Sequence, residues 1–383
     1  MGQRNMAESG GLAGTEVAEI STCLIDGEQG RLSYAGYDIE TLAEQAQFEE
    51  VCCLLLNGEL PNAAQLEALR QEIAQSAVLP AEIRSLLAAL PQDADPMAVL
   101  RTAVSAYGLY DEEAELPLDR EAMRRVVIRL CGQVAAITAA WARIRNGQAV
   151  VAARADLTLA ANFVAILFDR EPDATTTSAI NSYLVLLAEH GLNASTFAAR
   201  VITATGSDVV SAVVGGIGTL KGPAHGGANS EAMRMFQEIG AVENVDSWFE
   251  REVKQGGRRI MGIGHRVYKA PDPRAAILQR HADALSRQLG ERRWYEIATA
   301  LAEKAAADEY FIQRRLFPNV DYYSAVLLAS LGLASDLFTP LFAVARTIGW
   351  GVHAIAQRGG RLIRPKGRYV GPAPRPFIPL AER

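Results

Sequence analysis

Two histidines lie in glycine-rich stretches that a helix or a strand would avoid. His225 is part of "KGPAHGGAN", residues 221–229, and His265 is part of "MGIGHRVYK", residues 261–269. Glycine allows the backbone and a ligand to approach closely, and histidine exchanges protons near neutral pH. Because the chain has only 5 histidines in 383 residues, the repeated pattern favours a catalytic site. Each histidine could instead cap a helix or fill a gap.

The glycine pattern fits neither a phosphate-binding loop nor a zinc site. The stretch "GGIGTLKG", residues 215–222, misses the GxGxxG spacing by one residue and lacks GxxxxGK[ST]. No clear strand precedes it. The sequence also has no HExxH motif and no cysteine near a histidine, so we expect no metal site.

A carboxylate and a third histidine could belong to the same site. Asp321, in "FPNVDYYSAVLLASLG", is flanked by valine and tyrosine. Partly apolar surroundings would raise its pKa toward that of a useful general base, although Asp321 could also be the N-cap of the next helix. His190, in "LLAEHGLNASTFAARV", could bind a ligand or complement the C-terminus of the preceding helix. Asn193 or Ser195 could cap the helix that follows.

Three arginines indicate that the substrate is an anion. Arg274 follows "PDP", Arg346 lies inside the apolar stretch "LFAVARTIGW", and Arg364 precedes a proline in "RGGRLIRPKGR". A charge in an apolar helix must be paired or must bind an anion. Converging guanidinium groups can hold a substrate with two carboxylates in bidentate fashion.

Helices must position these side chains, because helical periodicity runs through most of the chain after Gly36. Apolar residues recur at spacings of three and four, and the stretches end at glycine or proline. Several stretches are apolar nearly all round, which predicts buried helices in many layers. Before them, "STCLIDGEQGRLSYAGYDI", residues 21–39, predicts a small hairpin.

The length predicts two domains or one large bundle. Glycine clusters bracket a segment that could be a smaller domain. We therefore expect a large domain from residues 1–221 and 326–383, a small domain from residues 222–325, and a ligand cleft between them.

Composition excludes other classes of protein. A net charge of -6 argues against a nucleic-acid-binding protein. The four cysteines form no CxxC pair and predict buried thiols in a reducing cytosol. The start, "MGQRNMAESGGLAG", has no apolar signal core, and no apolar run reaches the roughly 18 residues of a membrane span. We expect a cytoplasmic protein without membrane contact.

Seven stretches together resemble the citrate synthase family. They lie in the family's order and spacing and include "AEHGLNASTFAARV", "GPAHGGAN", "GIGHRVYKAPDPR", "PNVDYYSA", "RLIRP", "IDGEQGRLSYAGYDI" and "FEEVCCLLLNGELP". The resemblance spans about residues 20–370 and is to the short, dimeric bacterial and archaeal type, which includes 2-methylcitrate synthases. It implies an all-α, multi-helical, two-domain fold with a small N-terminal β-hairpin, in which the domains close over the substrates.

The resemblance also implies an activity. Acyl-CoA and oxaloacetate condense to citryl-CoA, which is then hydrolysed. Asp321 is similar to the base that removes the α-proton, and His225 to the donor that hydrogen-bonds the thioester oxygen. His265 resembles the acid that polarises and protonates the oxaloacetate carbonyl. The glycines beside His225 would let the backbone pass close to the thioester.

Further roles follow from the same resemblance. The residues similar to oxaloacetate ligands are His190, Arg274, Arg346 and, from the partner subunit of a homodimer with shared active sites, Arg364. The residues similar to the segment that holds coenzyme A are Arg259, Ile260, Met261, Gly262, Ile263 and Lys269. The thioester is a co-substrate, and no permanently bound cofactor is implied.

Four positions depart from the family pattern, namely Ala35, Val210, Ala325 and Ala356. None removes a proposed catalytic residue, but together with the short segment after His353 they bear on the placement of Arg364 and on the subunit contact. Two alternatives remain. One is 2-methylcitrate synthase, since one methylene changes selectivity by only about 1–3 kcal/mol. The other is a non-catalytic relative that binds citrate or coenzyme A.

Overall fold

The computed structural model describes residue 12, residues 14–114 and residues 119–383. Most of the N-terminal stretch that lacks an apolar signal core, residues 1–11 and 13, lies outside the described residues. The described chain is mostly helical with one small sheet, which confirms the predicted all-α fold class.

The predicted hairpin forms and gains a third strand. The strands are β1 (Cys23–Asp26), β2 (Arg31–Tyr34) and β3 (Tyr37–Asp38), all antiparallel in the order β1-β2-β3. Ala35 and Gly36, with φ of 45° and 91°, make the two-residue turn between β2 and β3. Two successive positive φ values are typical of a tight hairpin turn.

Seventeen α-helices follow in the described residues. They are α1 (Ile39–Gln45), α2 (Phe48–Asn57), α3 (Ala63–Ser76), α4 (Ala81–Ala89), α5 (Pro96–Tyr107), α6 (Arg120–Ile144), α7 (Leu159–Phe168), α8 (Ala174–Leu187), α9 (Ala194–Ala204), α10 (Val209–Leu220), α11 (Ala228–Ile239), α12 (Val245–Trp248), α13 (Pro273–Leu289), α14 (Arg293–Ala307), α15 (Glu309–Gln313), α16 (Val320–Ser330) and α17 (Phe338–Gln357). A π-helical segment, Phe249–Gln255, continues α12.

Polar caps and glycines set the ends of these helices. Asp95 accepts a hydrogen bond from the Ala98 N–H and precedes Pro96 at the first helical position of α5. Asn193, one of the two predicted caps, caps α9. Helix α2 ends at Gly58, which is left-handed with φ of 82° and so closes the helix without the strain that a side chain would meet.

Helices α6 and α17 form the centre of the core and pack against each other. Both are buried nearly all round, as their composition predicts. By length and composition alone, α6 is the one helix of the described residues that could cross a membrane. However, 89% of its apolar 18-residue stretch is buried inside the fold, as in the core helix of a globular protein. All four cysteines are free and buried.

The helices from α11 to α16 pack on one another beside this core. Helix α16 contacts α11, α13 and α14, while α13 also reaches back to α8 and α1. The loop that carries His265 and the start of α16 lie in this part of the chain. The loop before α9 and helix α17 lie in the other.

Candidate active site

Backbone pairing between residues 262–264 and 317–319 builds the loop that carries His265. Gly264 N–H donates to the Phe317 carbonyl at 2.8 Å, and Asn319 N–H donates to the Gly262 carbonyl at 2.9 Å. Gly262 has φ of +79°, and a Cβ there would lie 2.8 Å from Tyr322 Cα. Glycine is therefore required at Gly262 both by conformation and by close approach to the start of α16.

Two hydrogen bonds fix the His265 ring and its tautomer. Its Nδ1 accepts from the backbone N–H groups of Val267 and Tyr268, both at 3.1 Å. A nitrogen that accepts is unprotonated, so in the neutral ring the proton is on Nε2. Burial, with a smaller contribution from Arg274, lowers the pKa of His265 to about 4. At neutral pH His265 is a neutral hydrogen-bond donor through Nε2.

His225 is fixed in the opposite tautomer. Its Nε2 accepts from the Ser195 backbone N–H at 3.3 Å and lies 2.8 Å from the Ser195 hydroxyl. The proton of the neutral ring is therefore on Nδ1. Burial, together with the Arg346 charge, lowers the pKa of His225 to about 4. His225 is thus also a neutral donor, through Nδ1.

The glycines beside His225 are also needed for packing within the protein. A Cβ at Gly226 would lie 2.9 Å from Thr339 Cγ2, and the Gly226 carbonyl accepts from the Thr339 hydroxyl at 2.9 Å. Gly227 is the N-cap residue of α11. The space beside Gly226 is therefore filled by the protein itself, so a larger residue there would disturb packing as well as the site.

Asp321 is the second residue of α16, and the predicted capping role belongs to Asn319 instead. The Asn319 side chain accepts from the Asp321 N–H at 2.9 Å, so the N-cap alternative for Asp321 is wrong. This leaves the Asp321 carboxyl without a hydrogen bond to the described residues. Burial raises its pKa to about 6, against the opposing charges of Arg274 and Arg346.

Arg274 is buried and paired. Its Nε and Nη2 donate to the two carboxylate oxygens of Asp272 at 2.9 and 2.8 Å. Asp272 also caps α13 and accepts from the Val320 N–H, so one carboxylate joins the starts of α13 and α16. The Asp272 charge raises the pKa of Arg274 against the effect of burial. Its Nη1 forms no hydrogen bond within the described residues.

Arg346 is equally buried but lacks an ion pair among the described residues. It is 1% exposed, and its Nε donates to the Leu187 carbonyl at 2.8 Å. Burial lowers the pKa of Arg346, and the more distant Glu189 charge opposes that shift. A buried guanidinium group without a contacting carboxylate is a binding point for an anion.

His190 lies between these groups with both ring nitrogens buried and without hydrogen bonds to the described residues. Its ring centroid is 5.8 Å from that of His265 and 5.7 Å from that of Tyr268. Burial, then Arg274, Arg346 and His265, lower its pKa well below 6.5. It makes no hydrogen bond to the end of α8, so the capping alternative finds no support. Unpaired buried polar atoms indicate a ligand.

The remaining predicted residues lie at the edge of this cluster or outside it. Ile260 and Gly262 are buried, and Gly262 lies against the start of α16, whereas the side chains of Arg259 and Lys269 are exposed. Arg364 is exposed and lies beyond α17, whereas Arg274 and Arg346 are buried. No group of three or more His, Cys, Asp or Glu in the described part of the chain could hold a metal ion.

A buried network that the sequence motifs do not predict lies behind His190. Glu189 Oε1 accepts from His353 Nε2 at 2.9 Å and from the Gly191 N–H at 2.9 Å. Arg200 Nη1 donates to His353 Nδ1 at 3.1 Å, so His353 is the neutral Nε2–H tautomer. Two features of the sequence could have indicated this network, namely a carboxylate directly before His190 and a histidine in an apolar helix.

For two further positioning residues, the sequence predicts a role at a helix start but not the side chain that each one positions. Ser195 was considered only as a possible cap, although its backbone N–H and hydroxyl both contact His225. Its Oγ also accepts from Trp350 Nε1 at 3.0 Å, which links the His225 turn to α17. Asp272 stood in the quoted "PDPR", where an aspartate before a proline predicts a helix start but not a partner for Arg274.

Comparison with known sequences gives one family. The family model "Citrate synthase, C-terminal domain" matches residues 11–366. The chain is 44% identical to citrate synthase 2 of Bacillus subtilis over 92% of this chain and 93% of that protein. It is 41% identical to the citrate synthase of Haloferax volcanii, over 97% and 98%. It is 37% identical to the 2-methylcitrate synthase of Shewanella oneidensis, over 97% of both.

Solved structures give the same result for the fold. The citrate synthase of Pyrobaculum aerophilum superposes with a TM-score of 0.91 at 37% identity, covering 97% of this chain and 94% of that one. The citrate synthase of Thermoplasma acidophilum, solved as a ternary complex with carboxymethyl coenzyme A and oxaloacetate, superposes with a TM-score of 0.89 at 33% identity, covering 97% of this chain and 98% of that one.

Proposed function

Because the chain belongs to the citrate synthase family, we propose that its site condenses acetyl-CoA with oxaloacetate and hydrolyses the citryl-CoA product to citrate and coenzyme A. The chain is an enzyme that forms a carbon–carbon bond, of the citrate (Si)-synthase type. One observation carries the assignment of the site. Two histidines are held as neutral donors, and the charges of Arg346 and Arg274 that act on them also act on Asp321, a carboxyl group whose pKa is raised to about 6.

Asp321 is the proposed base for the first step. A carboxyl group with a pKa of about 6 is mostly ionised at pH 7 and is a stronger base than an exposed aspartate. It takes the α-proton of the acetyl group, and negative charge develops on the thioester oxygen. His225 donates its Nδ1–H to that oxygen. Loss of one such donor typically costs about 10²–10³-fold in rate.

His265 acts on the second substrate. The enolate carbon attacks the oxaloacetate carbonyl carbon, and Nε2–H of His265 polarises and then protonates the carbonyl oxygen. His190, Arg274 and Arg346 hold the oxaloacetate, because their free nitrogens are the unpaired donors of the site. Water then cleaves the thioester, which releases coenzyme A and citrate. No resident cofactor is required by these steps, and we place the reaction in the cytoplasm.

These steps require the protein to close around its two substrates. We propose that residues 222–325 form a small domain that closes against residues 1–221 and 326–383. Residues 259–263 and Lys269, on the moving side, then hold the coenzyme A thioester close to Asp321. Holding two substrates together while excluding water favours condensation over premature hydrolysis.

The segment after α17 is the proposed contact with a second copy. Apolar side chains are exposed along it, including Tyr369 at 77%, Phe377 at 81% and Leu380 at 79%. Exposed apolar side chains on an extended arm suit burial on a partner. The same arm carries Arg364, which would complete the site of the partner subunit in a homodimer.

Complementation between two inactive variants tests the shared site. Asp321→Asn and Arg364→Ala chains are co-expressed with different tags, and the mixed dimer is isolated. If Arg364 serves the partner, one of the two sites receives both native residues and the dimer regains about half of the wild-type activity. A mixed dimer with no more activity than its parents would place Arg364 in its own chain's site or outside the site.

Thiol release on mixing the wild-type enzyme with acetyl-CoA and oxaloacetate tests the reaction itself. We expect turnover that depends on both substrates, with kcat/KM falling about tenfold per pH unit below pH 6 as Asp321 is protonated. The 37% identity to a 2-methylcitrate synthase justifies a parallel assay with propionyl-CoA. A higher kcat/KM for propionyl-CoA would favour that alternative, and no turnover with either would contradict the proposal.

A further inference from the structure

The tip of the N-terminal hairpin lies on the loop that carries His265. The hairpin turn, residues 26–30, joins β1 to β2. The Gly27 carbonyl accepts from the backbone N–H of Lys269 at 2.8 Å and of Ala270 at 3.3 Å. These donors directly follow the two N–H groups that hold the His265 ring. The turn therefore anchors the loop within a few residues of the proposed acid.

The contact leaves no room for a side chain at Gly27 or at Gly30 of the hairpin. A Cβ on Gly27 would overlap the Val267 carbonyl oxygen and lie 2.9 Å from its carbon. A Cβ on Gly30 would lie 2.6 Å from the Pro271 carbonyl oxygen. Both obstacles are backbone atoms of the His265 loop, so a side-chain rotation cannot remove them. Only a shift of the loop or of the hairpin would make space.

The turn is rigid and its base is fixed elsewhere. Asp26 Oδ1 accepts from the N–H groups of Glu28 and Gln29 at 3.1 and 3.0 Å, which closes the turn on itself. At the base, the buried Tyr34 hydroxyl donates to the Glu189 carbonyl at 2.8 Å. The hairpin thus links the residue before His190 to the loop of His265.

From this bridge we infer that the hairpin turn is a positioning element for the reaction, with Gly27 as its key residue. The inference rests on the proposed role of His265. The turn sets the separation between the loop of His265 and the segment of His190, and it holds His265 Nε2–H toward the substrate carbonyl. The absence of a side chain at Gly27 is what permits this approach. A displacement of about 1 Å in such a group can lower a rate by about 10²-fold.

Valine substitutions at two positions of the same turn test the inference. Gly27 has no positive φ, so Gly27→Val adds an obstacle to the Val267 carbonyl without the strain of a left-handed backbone. Gln29→Val is the matched control, because the Gln29 side chain is exposed. Gly27→Ala provides a smaller obstacle at the same place, in case Gly27→Val fails to fold.

We expect Gly27→Val to lower kcat by about 10–100-fold and Gly27→Ala to lower it less, with Gln29→Val close to wild type. The dissociation constant of oxaloacetate, measured by calorimetry, should change less than kcat, because Arg274 and Arg346 still hold the carboxylates. The infrared carbonyl band of bound oxaloacetate should move toward its position in free oxaloacetate as His265 withdraws.

Two results separate the possible failures. If the wild-type enzyme turns over but both Gly27 variants keep its kcat and its carbonyl band, the inference is overturned. The same holds if their activity falls only in proportion to the folded fraction measured by thermal unfolding. If the wild-type enzyme itself releases no thiol, the proposed function is wrong, and that result is independent of the Gly27 variants.

Discussion

The two sides of the site are held by different kinds of interaction. The helical wall, residues 187–200 and 339–357, carries His190, the Ser195 support of His225, and Arg346. It is held by a buried network in which His353 contacts Glu189 through one ring nitrogen and Arg200 through the other. The loop wall, residues 260–274 and 317–321, carries His265, Arg274 and Asp321, and backbone hydrogen bonds and close glycine contacts hold it.

This difference indicates that the helical wall contributes mainly to stability and the loop wall mainly to activity. Buried ionic groups are costly to separate, so changes in the helical wall should appear mainly as lost stability. Loops held by backbone contacts can shift without unfolding, so changes in the loop wall should appear mainly as lost turnover. The hairpin joins the two walls, at Tyr34 on one side and Gly27 on the other.

Asp321→Asn should produce the largest change in activity, on the loop wall. The variant keeps the shape of the side chain but removes the base, so kcat should fall by about 10²–10⁴-fold. Oxaloacetate binding should stay close to wild type, because Asp321 is not among its proposed ligands. Thiol release and calorimetry measure the two quantities. Near wild-type turnover would show that another group is the base.

Glu189→Ala should produce the largest change in stability, on the helical wall. It leaves His353 Nε2 and the Gly191 N–H without their acceptor and removes the negative charge that most opposes the lowering of the Arg346 pKa. We expect the free energy of unfolding in urea to fall by about 3–5 kcal/mol.

The matched control for Glu189 is Glu171→Ala, since Glu171 pairs with Arg154 in an exposed ion pair. Such pairs contribute about 0–1 kcal/mol. If Glu189→Ala and Glu171→Ala lowered the unfolding free energy equally, the buried network would not be the feature that holds the helical wall.

The sequence predicted the helical fold and the proposed catalytic side chains, because periodicity and the histidine, aspartate and arginine motifs are local patterns. It did not predict the partners that orient those side chains. The Tyr34 hydroxyl meets Glu189 across 155 residues, and Glu189 meets His353 across 164. Contacts of that separation depend on how the helices pack, which no local pattern records. Asn319 took the capping role considered for Asp321 because it lies at the true start of α16.

Asp321→Asn should also raise stability in a pH-dependent way. Because the folded-state pKa of about 6 lies above the ordinary value of 3.8, ionisation of Asp321 opposes folding at neutral pH. The variant should therefore be more stable than wild type by about 2–3 kcal/mol at pH 7–8. The gain should shrink as pH falls through 6 and vanish near pH 4, as thermal unfolding across this range would measure. A gain that stayed constant with pH would contradict the raised pKa.

Ser195→Ala should affect both stability and turnover, but least of all, because Ser195 belongs to the helical wall and contacts a catalytic residue of the proposed site. The Ser195 backbone N–H remains, so His225 keeps its tautomer and kcat should fall by no more than about tenfold. Trp350 Nε1 loses its acceptor, which should lower the free energy of unfolding by about 1–2 kcal/mol.

Ser330→Ala is the control, since the buried Ser330 hydroxyl has no partner among the described residues. If Ser195→Ala matched Ser330→Ala in kcat and in unfolding free energy, the link between α17 and the His225 turn would contribute to neither activity nor stability. The helical wall would then act only as a scaffold.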